Sequence, residues 1–253
     1  MNKILIIGGG FMGYSLSLAL TARDDNPEIS IVEPSSYNQT LIQNKPTKFT
    51  LYDDLEKVTG DFDFVIICTP IKQIPKLILK AAKMFSDKTV ITDISSSKQH
   101  LKSLQLPRNF VSSHPICGSE KSGPEFADGD LFANKLVVLI HSELACEEKY
   151  VEKLSKFWEL LNMDVDVTDL EDHDKVFGLV SHLPHIIARA YKESLNVEDI
   201  DPKLFAGSGK EIERLGGSNE ALWNEIFSDN AKNIKRGLEK FEIALKRIRE
   251  KLT

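Results

Sequence analysis

"KILIIGGGFMGYSLSLALTA", Lys3 to Ala22, decides the fold. Ile4-Leu5-Ile6-Ile7 is a short apolar run cut off by glycine, which predicts a buried strand. Leu16, Leu18, Ala19 and Leu20 then recur on one side of a helical pattern. Between strand and helix lies G-x-G-x-x-G, at Gly8, Gly10 and Gly13. The first glycine permits the tight turn and the second lets a pyrophosphate approach the backbone. The third lets the helix pack closely, with its free N–H groups facing the phosphates. The motif alone is also compatible with a strand–helix turn that holds no ligand.

"EISIVE" follows, ending in Glu33, 20 residues after Gly13. A carboxylate there can hydrogen-bond both hydroxyls of an adenosine ribose and repels a 2′-phosphate. Pro34, Ser35 and Ser36 come next, with no cation to receive such a phosphate. The expected cofactor is therefore NAD, held by Gly8, Gly10, Phe11, Met12, Gly13 and Glu33, with Thr69 and Pro70 at a later strand end.

Further strand-like runs are "KFTLY", "FDFVIICTP", "KTVITDISSSK", "NFVSSHP" and "NKLVVLIHS", with helical stretches at Ile71–Phe85 and Glu143–Leu161. Strands alternating with helices predict an α/β class, a Rossmann-type doubly wound and largely parallel sheet. Its ligands sit beyond the carboxyl ends of strands. That rule marks Thr69-Pro70, Asp93–Lys98 and Ser112–Gly123, and places His114 in a loop after a strand. Beyond "MDVDVTDLEDHD" the pattern turns helical, through Val176, Leu179, Val180, Leu183, Ile186, Ile187 and Ala190, with Pro184 expected to kink it. A last helix over Asn230–Leu252 carries Ile234, Leu238, Phe241, Leu245, Ile248 and Leu252 at spacings of three and four. The expected domains are 1–168 for the dinucleotide and 169–253 for substrate and dimerisation. The stripe of the last helix would form a homodimer or pack on its own chain.

The 253 residues carry a net charge of −6, and the sequence pI is about 5.6. No domain-wide basic surface is available for nucleic acid. Cys68, Cys117 and Cys146 form no CxxC pair, which favours a reducing, cytoplasmic setting. No segment approaches the roughly 20 apolar residues of a membrane helix, and the four-residue apolar run before Gly8 is too short for a signal sequence.

Three polar clusters bear chemistry. "TDISSSK" offers Ser95, Ser96, Ser97 and Lys98. "SSHPICGSEKSG" offers His114. "SHLPH" and "GSGKEIERLGG" offer His182, His185, Lys210 and Arg214. A neutral His114 can take a proton from a substrate hydroxyl as hydride leaves the same carbon. It can equally be a loop histidine bonded to backbone. Lys210 and Arg214, four apart, share a helical face suited to a carboxylate, or to solvent. His182 and His185 can be core residues. With His173 they could ligate a metal, but no HExxH spacing or carboxylate cluster supports that, and no metal is expected.

The chain resembles the prephenate/arogenate dehydrogenase family of tyrosine biosynthesis. The resemblance rests on GxGxxG at Gly8–Gly13, TDxxSxK at Thr92–Lys98 and HPxxG[ST]EKSG at His114–Gly123. HDxVFGxxSHLPH at His173–His185 and GxxKxxxR at Gly207–Arg214, followed by Trp223, extend it. It implies an NAD-dependent oxidative decarboxylation of prephenate or arogenate, with tyrosine as a candidate inhibitor. It implies that His114 accepts the hydrogen bond or proton of the ring hydroxyl and that Ser96 orients His114 and the nicotinamide. Arg214 would bind a substrate carboxylate, with Lys210 and His185 as further contacts. Cys117 stands where the family usually has alanine, Ser119 replaces threonine, and Ile94-Ser95 precedes Ser96 where many relatives have glycine. Cys117 is expected to pack rather than react. The chain is expected to hold only the dehydrogenase core, so that tyrosine control would act in or near the active site. A hydroxy-acid or imine dehydrogenase of the same build, or a non-catalytic dinucleotide-binding protein, are the competing expectations.

Overall fold

The computed structural model describes residues 3–25, 27–45, 49–118, 121–141, 147–196 and 202–252. Ser119, Glu120 and Cys146 lie outside the described residues. The chain divides into two compact units, Met1–Ser96 with His100–Leu170, and Ser97–Gln99 with Glu171–Thr253.

In the first unit, β1 (Lys3–Ile7), β2 (Glu28–Val32), β3 (Thr50–Tyr52), β4 (Phe64–Ile67) and β5 (Val90–Asp93) form a parallel sheet in the order β3-β2-β1-β4-β5. The chain reverses direction across the sheet between β1 and β4. Gly8 and the segment Cys68-Thr69-Pro70 therefore flank the crevice where such sheets bind ligands.

Alternate residues of each strand serve opposite faces. Ile4, Ile6, Phe64 and Ile66 pack with Leu16 and Leu20 of α1 (Phe11–Thr21) and with Leu154, Phe157 and Trp158 of α4 (Glu148–Glu159). Leu5, Ile7, Val65 and Ile67 pack with Ile74, Ile78 and Ala81 of α3 (Ile74–Met84). Burial on both faces is why these strands are continuously apolar. Each such isoleucine or leucine contributes about 1.5–3 kcal/mol on full burial. The helix expected from Ile71 begins as a 3₁₀ turn, Ile71–Gln73, and Pro75 sits in the first turn of α3, where its missing N–H costs nothing.

The expected Rossmann-type parallel sheet is present, but the later strand-like runs do not join it. β6 (Ser112–Pro115), β7 (Leu136–Ile140) and β8 (Asp164–Thr168) form a second sheet, with β6 antiparallel to β7 and β7 parallel to β8. One parallel bridge, Ile91 to Phe110, links the strands before β6 turns away. Alternation in sequence reports burial and not the direction of pairing, so the second sheet was not legible.

The second unit contains the body of α5 (Leu170–Phe177), then α6 (Leu183–Asn196), α7 (Gly207–Gly216), α8 (Glu220–Asp229) and α9 (Ala231–Arg249). Gly178–His182 forms a π-helical turn that ends two residues before Pro184. Proline has no N–H to give and its ring crowds the preceding turn, so the wider turn absorbs the mismatch without ending the helix. Among the described residues no helix is long and apolar enough to cross a membrane.

Candidate active site

The glycine loop is built for a ligand. Gly8 has φ +106°, and a Cβ there would lie 2.6 Å from the Cys68 carbonyl oxygen. A Cβ on Gly13 would lie 1.9 Å from the Gly8 carbonyl oxygen, so α1 can approach β1 only with glycine at that position. At Gly10 a Cβ would meet no atom of the described residues within 4 Å. The third close approach is thus left open by the protein itself, on the side of the helix start. Gly10 is the N-cap of α1, with no side-chain cap and no acidic residue in the first turn. Its leading N–H groups and the positive helix end are available to an anion. Met12 packs on the core, and Phe11 is half-buried beside it.

Glu33 is buried at the end of β2. Its Oε2 accepts from the Gly9 N–H at 2.9 Å and its Oε1 from the Ser35 N–H at 2.9 Å. These bonds fix the carboxylate against the loop, and each oxygen retains a further lone pair for a ribose hydroxyl. Across the crevice the Thr69 hydroxyl is buried and has no hydrogen-bond partner among the described residues. Its methyl lies 3.2 Å from where a Gly8 Cβ would sit. An orphaned buried hydroxyl in this position fits a cofactor that supplies the partner. Pro70 beside it is exposed.

His114 is not in a loop. It is the third residue of β6, opposite Val138, and 8 % exposed. The three serines are separated by their bonds. Ser95 donates its N–H to Asp93 Oδ2 at 3.0 Å, and its hydroxyl to the same oxygen. In the second unit, Ser97 donates to Asp229 Oδ2 at 2.7 Å. The hydroxyl of half-buried Ser96 has no bond among the described residues, and so the serine expected to orient His114 is the uncommitted one.

Sequence reading missed the residues beneath this corner. Asp93 Oδ1 also accepts from the Ser112 hydroxyl. Thr92 and Ser113 share a hydroxyl bond of 2.7 Å, and the Trp158 indole N–H donates to Ser113 Oγ at 3.1 Å. A fully buried aspartate ending an apolar strand was the available signal. Burial pushes the Cys117 thiol up to about 12 and raises Cys68 as well, the Asp93 carboxylate adding to the latter, so both sulfurs are packing groups.

In the second unit, His185 stacks on Trp223 with ring centroids 3.5 Å apart and 22° between planes. Its Nδ1–H donates to the Leu215 carbonyl at 3.3 Å, which leaves Nε2 as the acceptor in the neutral ring. Burial lowers the His185 pKa to about 4, against the Leu215 bond and helped by the Arg189 and Arg214 charges. Arg214 is exposed on α7 and pairs with Glu211 at 3.1 Å, and Lys210 is exposed one turn earlier. His173 and His182 are core groups. His173 Nδ1 pairs with Asp174 at 2.9 Å, and His182 Nδ1 meets the Asn230 amide at 3.1 Å. Asp174 also receives the Lys98 N–H at 3.0 Å and the Gln99 amide at 2.7 Å, which secures Ser97–Gln99 within the helical unit.

A family model described as the prephenate dehydrogenase nucleotide-binding domain matches residues 17–167, and a prephenate dehydrogenase dimerization domain matches residues 169–253. The chain belongs to the prephenate dehydrogenase family. The first match begins downstream of the glycine loop, so the loop stands on its own geometry. Among relatives, a cyclohexadienyl dehydrogenase of Zymomonas mobilis is 28% identical over 98% of this chain and 87% of its own length. A prephenate dehydrogenase of Lactococcus lactis is 28% identical over 100% of this chain and 72% of its own. A crystal structure of prephenate dehydrogenase from A. aeolicus, with hydroxyphenyl propionate and NAD+, superposes with a TM-score of 0.86. It is 29% identical and covers 99% of this chain and 90% of that one. As a member of the prephenate dehydrogenase family the protein is a nucleotide-dependent oxidoreductase, with a Rossmann-like first unit and a helical second unit.

Proposed function

We propose that the protein catalyses NAD-dependent oxidative decarboxylation of prephenate to 4-hydroxyphenylpyruvate, with arogenate, converted to tyrosine, as the alternative substrate. The observation that carries this reading is His114, buried near the end of β6 in a chain matched by both family models. Residues 1–168 are assigned to the dinucleotide and 169–253 to substrate and dimerisation.

NAD, when bound, supplies the hydride acceptor. Gly8, Gly10, Phe11, Met12 and Gly13 receive its pyrophosphate, Glu33 its adenosine ribose, and Thr69 and Pro70 line the crevice. His114 accepts the proton of the ring hydroxyl as the C–H bond on the same carbon gives up its hydride. Ser96 holds the imidazole in place. Departure of hydride and of the ring carboxylate as CO₂ aromatises the ring, so the chain has only to position the groups and take up one proton. Arg214 binds a substrate carboxylate, with Lys210 and neutral His185 as further contacts. Neutrality gives His185 a lone pair for a substrate donor and adds no charge beside Arg214.

The active form is a homodimer through the helical unit. Leu245 and Ile248 of α9 are each more than half exposed, and Leu252 beyond it is 82% exposed. Ile234, at the other end of the same stripe, is buried in its own chain. An apolar patch of this kind supports a partner surface. The thiols of Cys68 and Cys117, both free, support a reducing, cytoplasmic setting. Tyrosine control acts in or near the active site, and steady-state assays with added tyrosine test it.

The deciding experiment is nicotinamide reduction by purified protein, with prephenate or arogenate, each with NAD or NADP. Turnover with NAD on either substrate is the expected result and identifies which one is used. No turnover in any mixture would overturn the reading in favour of a dinucleotide-binding protein.

A further inference from the structure

We propose that Asp93 is the positioning residue of the catalytic corner, fixing Ser96 and His114 through one buried carboxylate. The proposal rests on the roles given above to those two residues. β5 and β6 are neighbours, but their backbones pair only around Ile91. The Ile91 N–H donates to the Asn109 carbonyl at 2.9 Å and the Val111 N–H to the Ile91 carbonyl at 3.0 Å, just before β6, and among the described residues no further backbone pairing joins β5 to β6. Beyond that point side chains cross the gap. Asp93 takes the Ser95 N–H and hydroxyl on Oδ2 and the Ser112 hydroxyl on Oδ1. Ser95 precedes Ser96, and Ser112 stands two residues before His114 in the same strand, with its side chain on the same face. One carboxylate thus ties the serine turn to the strand that carries the histidine. Bonds to an ionised acceptor are short and directional, which suits such a clamp. Thr92 and Ser113 make a second tie on the opposite face, anchored by Trp158.

The test uses the full chain with Asp93→Ala, Asp93→Asn, Ser112→Ala and His114→Asn. Asparagine can accept from the Ser95 N–H with its oxygen and give its amide to the Ser112 hydroxyl, so it preserves the clamp without the charge. Asp93→Ala is expected to lower kcat about 10²-fold, the cost of a misplacement near 1 Å, with NAD affinity and KM within about twofold. Asp93→Asn is expected to recover most of that loss. Ser112→Ala, which removes a single donor, is expected to cost kcat roughly tenfold; it serves in place of Asp93→Ala if that variant does not fold. On a His114→Asn background either change is expected to add almost nothing, because the clamp acts through His114. Multiplicative losses on that background, or equal losses for Asp93→Asn and Asp93→Ala, would overturn the proposal. A readout without turnover separates this from the reaction itself. The imidazole NMR resonances of His114, assigned by their loss in His114→Asn, should shift in Asp93→Ala and Ser112→Ala while those of His185 stay in place. If wild type turns over no cyclohexadienol yet His114 shifts, the reaction reading falls and the clamp stands. An unmoved His114 would overturn the clamp whatever the activity.

Discussion

The glycine loop makes a prediction in which two alanine substitutions, three residues apart, have opposite effects. In Gly13→Ala the new methyl would lie 1.9 Å from the Gly8 carbonyl oxygen and 3.1 Å from both Cys68 Cβ and Ile6 Cγ2. Ordinary contact begins near 3.4 Å, so α1 must withdraw from β1 by more than an ångström. None of the three obstacles is the far end of a flexible side chain. The cost belongs at the upper end of overpacking penalties, about 3 kcal/mol. For a chain of this length that lowers the first thermal transition by about 6–12 °C. In Gly10→Ala the methyl meets no atom of the described residues, and φ −72° suits alanine. Loss of a glycine N-cap and the reduced freedom of the unfolded chain oppose each other at under about 1 kcal/mol each. Its transition should stay within about 2 °C of wild type. The same methyl stands where the pyrophosphate approaches, and NAD affinity should fall at least about tenfold, or about 1.4 kcal/mol. Thermal circular dichroism and calorimetric titration with NAD read the two effects separately. A Gly13→Ala protein with wild-type melting, or a Gly10→Ala protein with wild-type NAD affinity, would refute the reasoning.

Further outcomes follow from the same geometry. His114→Asn should lower kcat by roughly 10²–10⁴ with NAD affinity preserved, and steady-state kinetics with direct NAD titration checks both halves. Arg214→Ala should mainly raise KM, read by initial rates over substrate concentration. The folded pKa of His185 is depressed to about 4 from 6.5, so the unfolded chain takes up its proton first as pH falls. The contribution of His185 is present above pH 6.5 and is lost through the window down to about 4. Wild type should therefore lose stability relative to His185→Gln across that window, and parallel denaturant titrations at stepped pH would expose a constant difference as a contradiction. Leu245→Asp with Ile248→Asp should convert a dimer to a monomer in sedimentation, with little change in the melting of the chain itself.

Sequence carried the parts of this molecule that depend on short-range periodicity. Ile4–Ile7, the three glycines and Glu33 lie within one strand–helix–strand segment, and their spacing translates directly into the crevice seen between β1 and β4. The stripe on α9 was also legible, because spacings of three and four define a helix face before any partner is known. Long-range polar pairing was not. Nothing in "TDISSSK" distinguishes three adjacent serines; they are told apart by Asp93 for Ser95 and Asp229, 132 residues away, for Ser97. His173 and His182 look like ligands in sequence because their partners, Asp174 and Asn230, are ordinary residues until the helices fold. The placement of His114 failed for a related reason. The strand continues through His114 to Pro115, because a proline is tolerated as the last residue of an edge strand, where its missing N–H breaks no ladder bond.

The position of the corner follows from where backbone pairing stops. β1, β2 and β4 each pair with a strand on both sides, and the side chains they bury are largely apolar. Past Ile91 the chain entering β6 leaves to pair with β7, and β5 keeps β4 as its partner on one side only. A buried N–H without an acceptor costs about 1–3 kcal/mol, so polar side chains must enter the core at this point. Asp93 meets that need for Ser95, and Ser112 and Thr92 complete the seam. Hydroxyls and a carboxylate are thus required at the end of β5 for folding alone, next to the crevice that the glycine loop opens. A serine and a histidine added to that seam are held by bonds the fold already needs. On the reading proposed above, this accounts for chemistry at the margin of the parallel sheet and for supporting residues that resemble structure more than mechanism.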